Sequence, residues 1–176
     1  MDAAHVSGAH MVTALDSETE LKQRAWDAAA SVVDPEIPVL TIADLGVLRE
    51  VSLAGDRVEV AITPTYSGCP AMNMIALEIE TALARAGIDA RIRTSLTPAW
   101  TTDWLTDAAR AKLAAFGIAP PEHTASRRSL FGEARPACPR CGSADTETIS
   151  AFGSTACKSL HRCRACREPF DAFKCH

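Results

Sequence analysis

Cys138-Pro139-Arg140-Cys141 and Cys163-Arg164-Ala165-Cys166 are two C-x-x-C pairs within one short stretch of chain. Two intervening residues let the backbone turn back on itself, so both thiolates of a pair can reach one metal ion, and two pairs complete a tetrahedron of sulfur. A shell closed by Cys138, Cys141, Cys163 and Cys166 leaves no position for water, which points to a structural role. Zinc suits it; iron in a rubredoxin-like site takes the same ligands, and spacing does not separate the two. Cys157, Cys175, His161 and His176 stand outside this set. Each is either a packed side chain or part of the terminus, or it serves a second site; Cys157 and Cys175 are the candidates for additional metal or cluster ligands.

The seventh cysteine, Cys69, lies alone in Thr63-Pro64-Thr65-Tyr66-Ser67-Gly68-Cys69-Pro70. Pro70 fits the first position of a helix, which predicts Cys69 at the N-cap. There the free amides and the helix dipole favour a thiolate. Such a sulfur could be a nucleophile or a soft-metal ligand, or simply an inert packed residue. No histidine stands out as its base, so cysteine hydrolase chemistry is poorly supported. Asp34-Pro35-Glu36-Ile37-Pro38 adds two carboxylates in a proline-stiffened loop. They could bind metal or orient Cys69, or merely end a helix.

These groups need elements to hold them. Ser17-Glu18-Thr19-Glu20 reads as a capping box before a helix with Leu21, Ala25, Ala28, Ala29 and Val32 on one face. Val47 to Leu53 and Val58 to Ile62 alternate around Gly55, predicting a β-hairpin. A helix with Ile75, Ile79 and Leu83 follows, then a strand over Ala90–Leu96. A last helix is expected to be capped near Thr102 or Asp103, with Leu105, Ala109, Leu113 and Phe116 buried and Gly117 at its end. The expected class is α+β: a small α/β domain with a mixed three-stranded sheet packed by helices, then a β-rich ribbon. The expected boundaries are a disordered tail over 1–17, the α/β domain over 18–118, a linker over 119–137 that leaves the two domains nearly independent, and the ribbon over 138–176. So short a ribbon needs a metal to fold.

The chain has 176 residues and a net charge of −4, which argues against nucleic acid or an anionic membrane as the main partner. No apolar run approaches a membrane span, and Met1 to Met11 lacks the pattern of a secretory signal. Reduced cysteines in a cytoplasmic protein are the expectation.

Asp34 to Pro38, Asp44-Leu45-Gly46 and the Thr63–Pro70 loop with Cys69 resemble the SufT-like domain of iron–sulfur protein maturation. Phe152-Gly153-Ser154-Thr155-Ala156-Cys157-Lys158, the knuckle Cys163 to Cys166, Glu168-Pro169-Phe170 and Phe173-Lys174-Cys175 resemble the PaaD or PaaJ type of accessory subunit of phenylacetyl-CoA epoxidase. The resemblance implies a non-catalytic component of a multicomponent oxygenase in phenylacetate catabolism, one that assists iron–sulfur cluster assembly or delivery. It implies zinc in the ribbon and a transient cluster at Cys69, with Asp34 and Glu36 shaping the loop. It implies the oxygenase components as partners, the iron–sulfur reductase above all, and pairing as a homodimer is compatible with it. The rival readings are an electron carrier with iron in the ribbon and a structural subunit of the oxygenase.

Overall fold

A computed structural model describes residues 8–55, 57–121 and 135–174, with the backbone alone for 8–16. Helix α1 (Gly8–Ala30) buries Ala25 and Ala29 one turn apart. It starts well before the expected capping box and runs through it, because no proline or better cap interrupts Gly8 to Ala30. Backbone that was expected in the tail is therefore helical from Gly8.

Strands β1 (Leu48–Ala54) and β2 (Arg57–Ile62) form the antiparallel hairpin, with Leu53 opposite Val58. Helix α2 (Met72–Arg85) buries Ile75, Ile79 and Leu83, one per turn. It ends where Gly87 takes φ +72° and the Ile88 amide bonds back to Leu83 O at 2.9 Å. The crossover delivers β3 (Ala90–Thr94) parallel to β2, with Val60 beside Ile92. The sheet is thus mixed, in the order β1-β2-β3.

A short 3₁₀ turn over Thr102–Trp104 precedes α3 (Asp107–Phe116). The cap of α3 is Thr106, whose hydroxyl accepts the Ala109 amide; Thr102 and Asp103 lie in the 3₁₀ turn instead. Ala109 and Leu113 are buried, whereas Phe116 is 57% exposed, since the helix ends before a further turn could cover it.

The loop between α1 and β1 also contributes to the core. Ile37, Leu40, Ile42, Leu45 and Val47 are all buried. This pins the backbone that carries Asp34 and Glu36.

Residues Ile118–Ala119 form β4, which pairs in parallel with β7 (Pro169–Phe173) of the ribbon. Strands β5 (Thr146–Ser150) and β6 (Lys158–Cys163) complete a sheet of order β4-β7-β6-β5. The expected linker thus begins as a strand of the ribbon's own sheet. Cys157 and Phe173 belong to the main core cluster, and the Phe173 ring sits 5.9 Å from that of Trp100. Near-independence of the two domains does not hold: a ribbon too small to bury its own apolar side chains buries them against its neighbour.

Candidate functional site

The two knuckles share one backbone design. Cys138 N donates to Ser143 O at 2.9 Å and Cys163 N to Glu168 O at 3.0 Å, the same offset in each. The residue after each pair takes the left-handed conformation, Gly142 at φ +72° and Arg167 at φ +68°. The result brings Cys138, Cys141, Cys163 and Cys166 sulfurs within 4.8 Å of one another. Cys138 and Cys166 sulfurs are 3.7 Å apart, and Cys141 and Cys163 sulfurs 3.6 Å. A tetrahedron with metal–sulfur bonds of about 2.3 Å has sulfur–sulfur edges of about 3.8 Å, which these two edges match, so the donor set suits a four-thiolate metal.

The thiols are already unequal. The Cys166 amide, 3.4 Å away, brings Cys163 down to about 7. At Cys166 the Glu168 amide pulls downward, but desolvation and the sulfurs of Cys163, Cys141 and Cys138 push the thiol up to about 12. A dication would relieve that conflict by holding all four as thiolates.

Cys69 lies on the other domain. Helix α2 begins at Met72 with Ala71 as its cap, so Cys69 precedes the N-cap instead of occupying it. The Cys69 amide bonds to Tyr66 O at 3.1 Å and closes the turn. Its half-buried thiol is raised, not lowered: desolvation by burial dominates, the Ala71 amide opposes it, and the charges of Glu36 and Asp34 add to it against the Met72 amide. The expectation of an activated thiolate fails first because the sulfur is partly buried, and then because the charges of Glu36 and Asp34 disfavour a thiolate.

Asp34 is buried, and its Oδ1 accepts the amides of Glu36 at 2.9 Å and Ile37 at 2.8 Å. The carboxylate thereby folds its own loop. Burial raises its pKa above the ordinary value, while those amides resist. Tyr66 is also raised, first by desolvation and then by the charges of Cys69, Glu36 and Cys157. An open groove of about 440 Å³ runs beside Tyr66, lined also by Thr63, Leu96 and Trp100.

The ribbon reaches this loop. Cys157 is buried, with its sulfur 3.0 Å from Thr155 Oγ1 and 3.6 Å from Glu36 Oε2. Burial pushes its thiol up to about 11, with Thr155 opposing and Glu36 adding. Lys158, also buried, donates from Nζ to Glu36 O at 3.4 Å.

Comparison with known proteins follows the same division. The family described as PaaD zinc beta ribbon domain matches residues 122–174, and the family described as iron–sulfur cluster assembly protein matches residues 22–92. A protein of Escherichia coli K12, named as one of the subunits of a "Putative 1,2-phenylacetyl-CoA epoxidase", is 49% identical over 151 residues, 85% of this chain and 90% of its own. The chain belongs to the PaaD family. A Bacillus subtilis protein named as the Fe-S protein maturation auxiliary factor YitW is 32% identical over 99 residues, covering 54% of the chain and 96% of its own length. The crystal structure of a domain of unknown function from Bacillus anthracis superposes with a TM-score of 0.52 at 19% identity. It covers 56% of this chain and 96% of its own, and shows the fold alone.

In this PaaD-family chain Asp34 and Glu36 lie within electrostatic reach of Cys69, and the four knuckle cysteines come together in the ribbon. Cys175 and His176 fall outside the described residues. His161 is a core side chain: its ring lies 5.6 Å from that of Phe170, and its nitrogens face Thr148 and Ser159. Asp44 accepts the Thr41 amide and pairs with Lys112 at 2.6 Å. Trp100 donates to Leu45 O at 2.8 Å, and Trp104 lies under the Arg49 guanidinium at 3.4 Å. Sequence reasoning missed Tyr66 and Lys158. Their only signal was position, one inside the Cys69 loop and the other beside Cys157.

Proposed function

We propose that this PaaD-family chain is a cytoplasmic accessory factor of a phenylacetyl-CoA epoxidase-type oxygenase, assisting iron–sulfur cluster assembly or delivery to it without turning over substrate itself. Cys69 is the sulfur that contacts the cluster, Asp34 and Glu36 shape and charge its surroundings, and Cys138, Cys141, Cys163 and Cys166 hold structural zinc. The names of the Escherichia coli and Bacillus subtilis relatives support the two halves of this proposal.

The observation that carries it is the placement of Cys69. A half-buried thiol facing two carboxylates is protonated and weakly nucleophilic at neutral pH. The same surroundings suit iron, since a soft cation displaces the thiol proton and gains from every nearby negative charge. That favours a metal-handling sulfur over a catalytic one. The cluster is cargo here, and the zinc stays with the chain.

The test is made in cells carrying Cys69→Ser, beside wild type and a deletion. Sulfur becomes oxygen with little change in volume, so the protein should accumulate normally. The iron–sulfur reductase of the oxygenase should then be made in normal amounts but carry less cluster, and epoxidation should slow. Full cluster occupancy in both the variant and the deletion would overturn the proposal.

A further inference from the structure

Resting on the maturation reading above, we propose that Cys157, brought in by the ribbon, is a second sulfur ligand for the cargo held at Cys69, with Glu36 as an oxygen ligand between them, and that this cargo is a polynuclear iron–sulfur cluster.

The loop that carries Cys157 is built to hold it in place. Lys158 N bonds to Thr155 O at 3.1 Å, and Lys174 N to Cys157 O at 3.0 Å. Lys174 Nζ ties down Ala156 O at 2.8 Å. Lys158 fastens the whole loop to Glu36 O across the domain boundary. The sulfur ends beside the Glu36 carboxylate and the Thr155 hydroxyl. The Cys157 thiol donates to Glu36 Oε2, so the proton that a metal would displace already lies between this sulfur and the carboxylate. Glu36 also acts on Cys69, and Tyr66 senses Cys69, Glu36 and Cys157 together. The Glu36 carboxylate thus meets the Cys157 sulfur of the ribbon directly and lies within electrostatic reach of Cys69 on its own domain.

Spacing sets the class of cargo. Among the described residues, the four knuckle cysteines are the one group of three or more whose donor atoms all lie within 4.8 Å of one another. Cys69, Glu36 and Cys157 do not form such a group. A single ion needs all its donors at bonding distance, whereas a cluster with separated irons can bridge them. Two thiolates and a carboxylate also leave the cluster less than fully wrapped, as a carrier that must give it up requires. Loading is a ligand exchange: sulfur–iron bonds form at Cys69 and Cys157 and an oxygen–iron bond at Glu36, three of the donor's thiolates leave the iron, and two of them take up the thiol protons while the third is protonated by water. No oxidation state changes.

The experiment uses the full zinc-loaded chain, without oxygen, and a preformed two-iron, two-sulfide cluster supplied as its glutathione complex. Iron, acid-labile sulfide and zinc are measured on the desalted protein, and cluster loss to an iron chelator is timed. Cys157→Ser should keep its zinc and its melting temperature while losing cluster about tenfold faster or more. Glu36→Gln, which keeps the side-chain shape, should also shed it faster; this second variant decides the matter if Cys157→Ser disturbs the docking. Wild-type retention in both, with loss only in Cys69→Ser, would overturn the shared site and leave the maturation reading standing. Wild-type retention in Cys69→Ser as well would overturn both.

Discussion

In the ribbon, two knuckles of the same backbone geometry bring four sulfurs within 4.8 Å, and all the donors come from two short stretches. Around Cys69, the polar groups come from three distant stretches: Asp34 and Glu36, Tyr66 and Cys69, Cys157 and Lys158. The first arrangement is local and closed, suited to a metal that stays. The second depends on the fold and on domain docking, and is open on one side. A shift of the ribbon against the α/β domain alters the second arrangement and leaves the first intact, because both knuckles lie in the ribbon.

The strongest perturbation of this contrast is Cys138→Ser. It should remove the bound metal and with it folding free energy on the order of 10 kcal/mol, melting β5 to β7. Because Cys157 and Phe173 lie in the main core, amide exchange in the α/β domain should rise as well. Zinc analysis with hydrogen exchange checks both. A full equivalent of zinc retained would break the ligand assignment, and unchanged exchange in α1 to α3 would break the coupling.

Gly46→Ala acts on the other region alone. Gly46 has φ +67°, and a Cβ there would lie 2.7 Å from Trp104 Cβ. The left-handed backbone and the crowding together should cost about 2–4 kcal/mol in urea unfolding, with zinc content unchanged. Loss of zinc in this variant would show that the regions depend on each other more than their contacts suggest.

The symmetry of the knuckles is sharpened by a reciprocal pair. Gly142→Ala should cost about 1 kcal/mol, while Arg167→Gly should stabilise by up to about 1 kcal/mol, since each changes the fit to a left-handed position. Thermal melting of the zinc-loaded protein measures both; the same sign for the two would contradict the shared geometry.

The smallest effect on stability is expected from Asp34→Asn. Burial raises Asp34 above the ordinary 3.8, so the folded chain binds that proton more tightly than the unfolded one. Its stabilising contribution is present in acid and is lost as pH rises through the folded value, leaving a buried charge at neutral pH. Asparagine keeps an oxygen for the Glu36 and Ile37 amides. At pH 7 the variant should be neutral or more stable by up to about 1 kcal/mol, and that advantage should vanish as pH approaches 3.8. Denaturant unfolding at the two pH values checks the sign.

The ribbon was legible in the sequence because C-x-x-C spacing fixes a turn by itself. The hairpin, α2 and the αL stop at Gly117 were legible for the same reason: their signals are local. Three things were not. The N-cap at Cys69 slipped to Ala71 because Pro70 is also compatible with a turn, and the loop closes on Tyr66 first. The depressed thiol pKa failed because burial of the sulfur, which no local signal foretells, dominates, and because the Asp34 and Glu36 charges act from a segment more than thirty residues away. Docking of the ribbon through β4 and Phe173 was hidden behind a proline-rich stretch with the composition of a linker.

The most direct test of the division of labour between the two sites is X-ray absorption on cluster-loaded protein, at the zinc and iron edges in turn, for wild type and Cys69→Ser. Wild type should show zinc bound by sulfur alone at about 2.3 Å, and iron in a separate sulfur-rich site. Cys69→Ser should keep the zinc spectrum unchanged and lose most of the iron. Iron retained at the wild-type level in Cys69→Ser, or iron displacing zinc from Cys138, Cys141, Cys163 and Cys166, would contradict it.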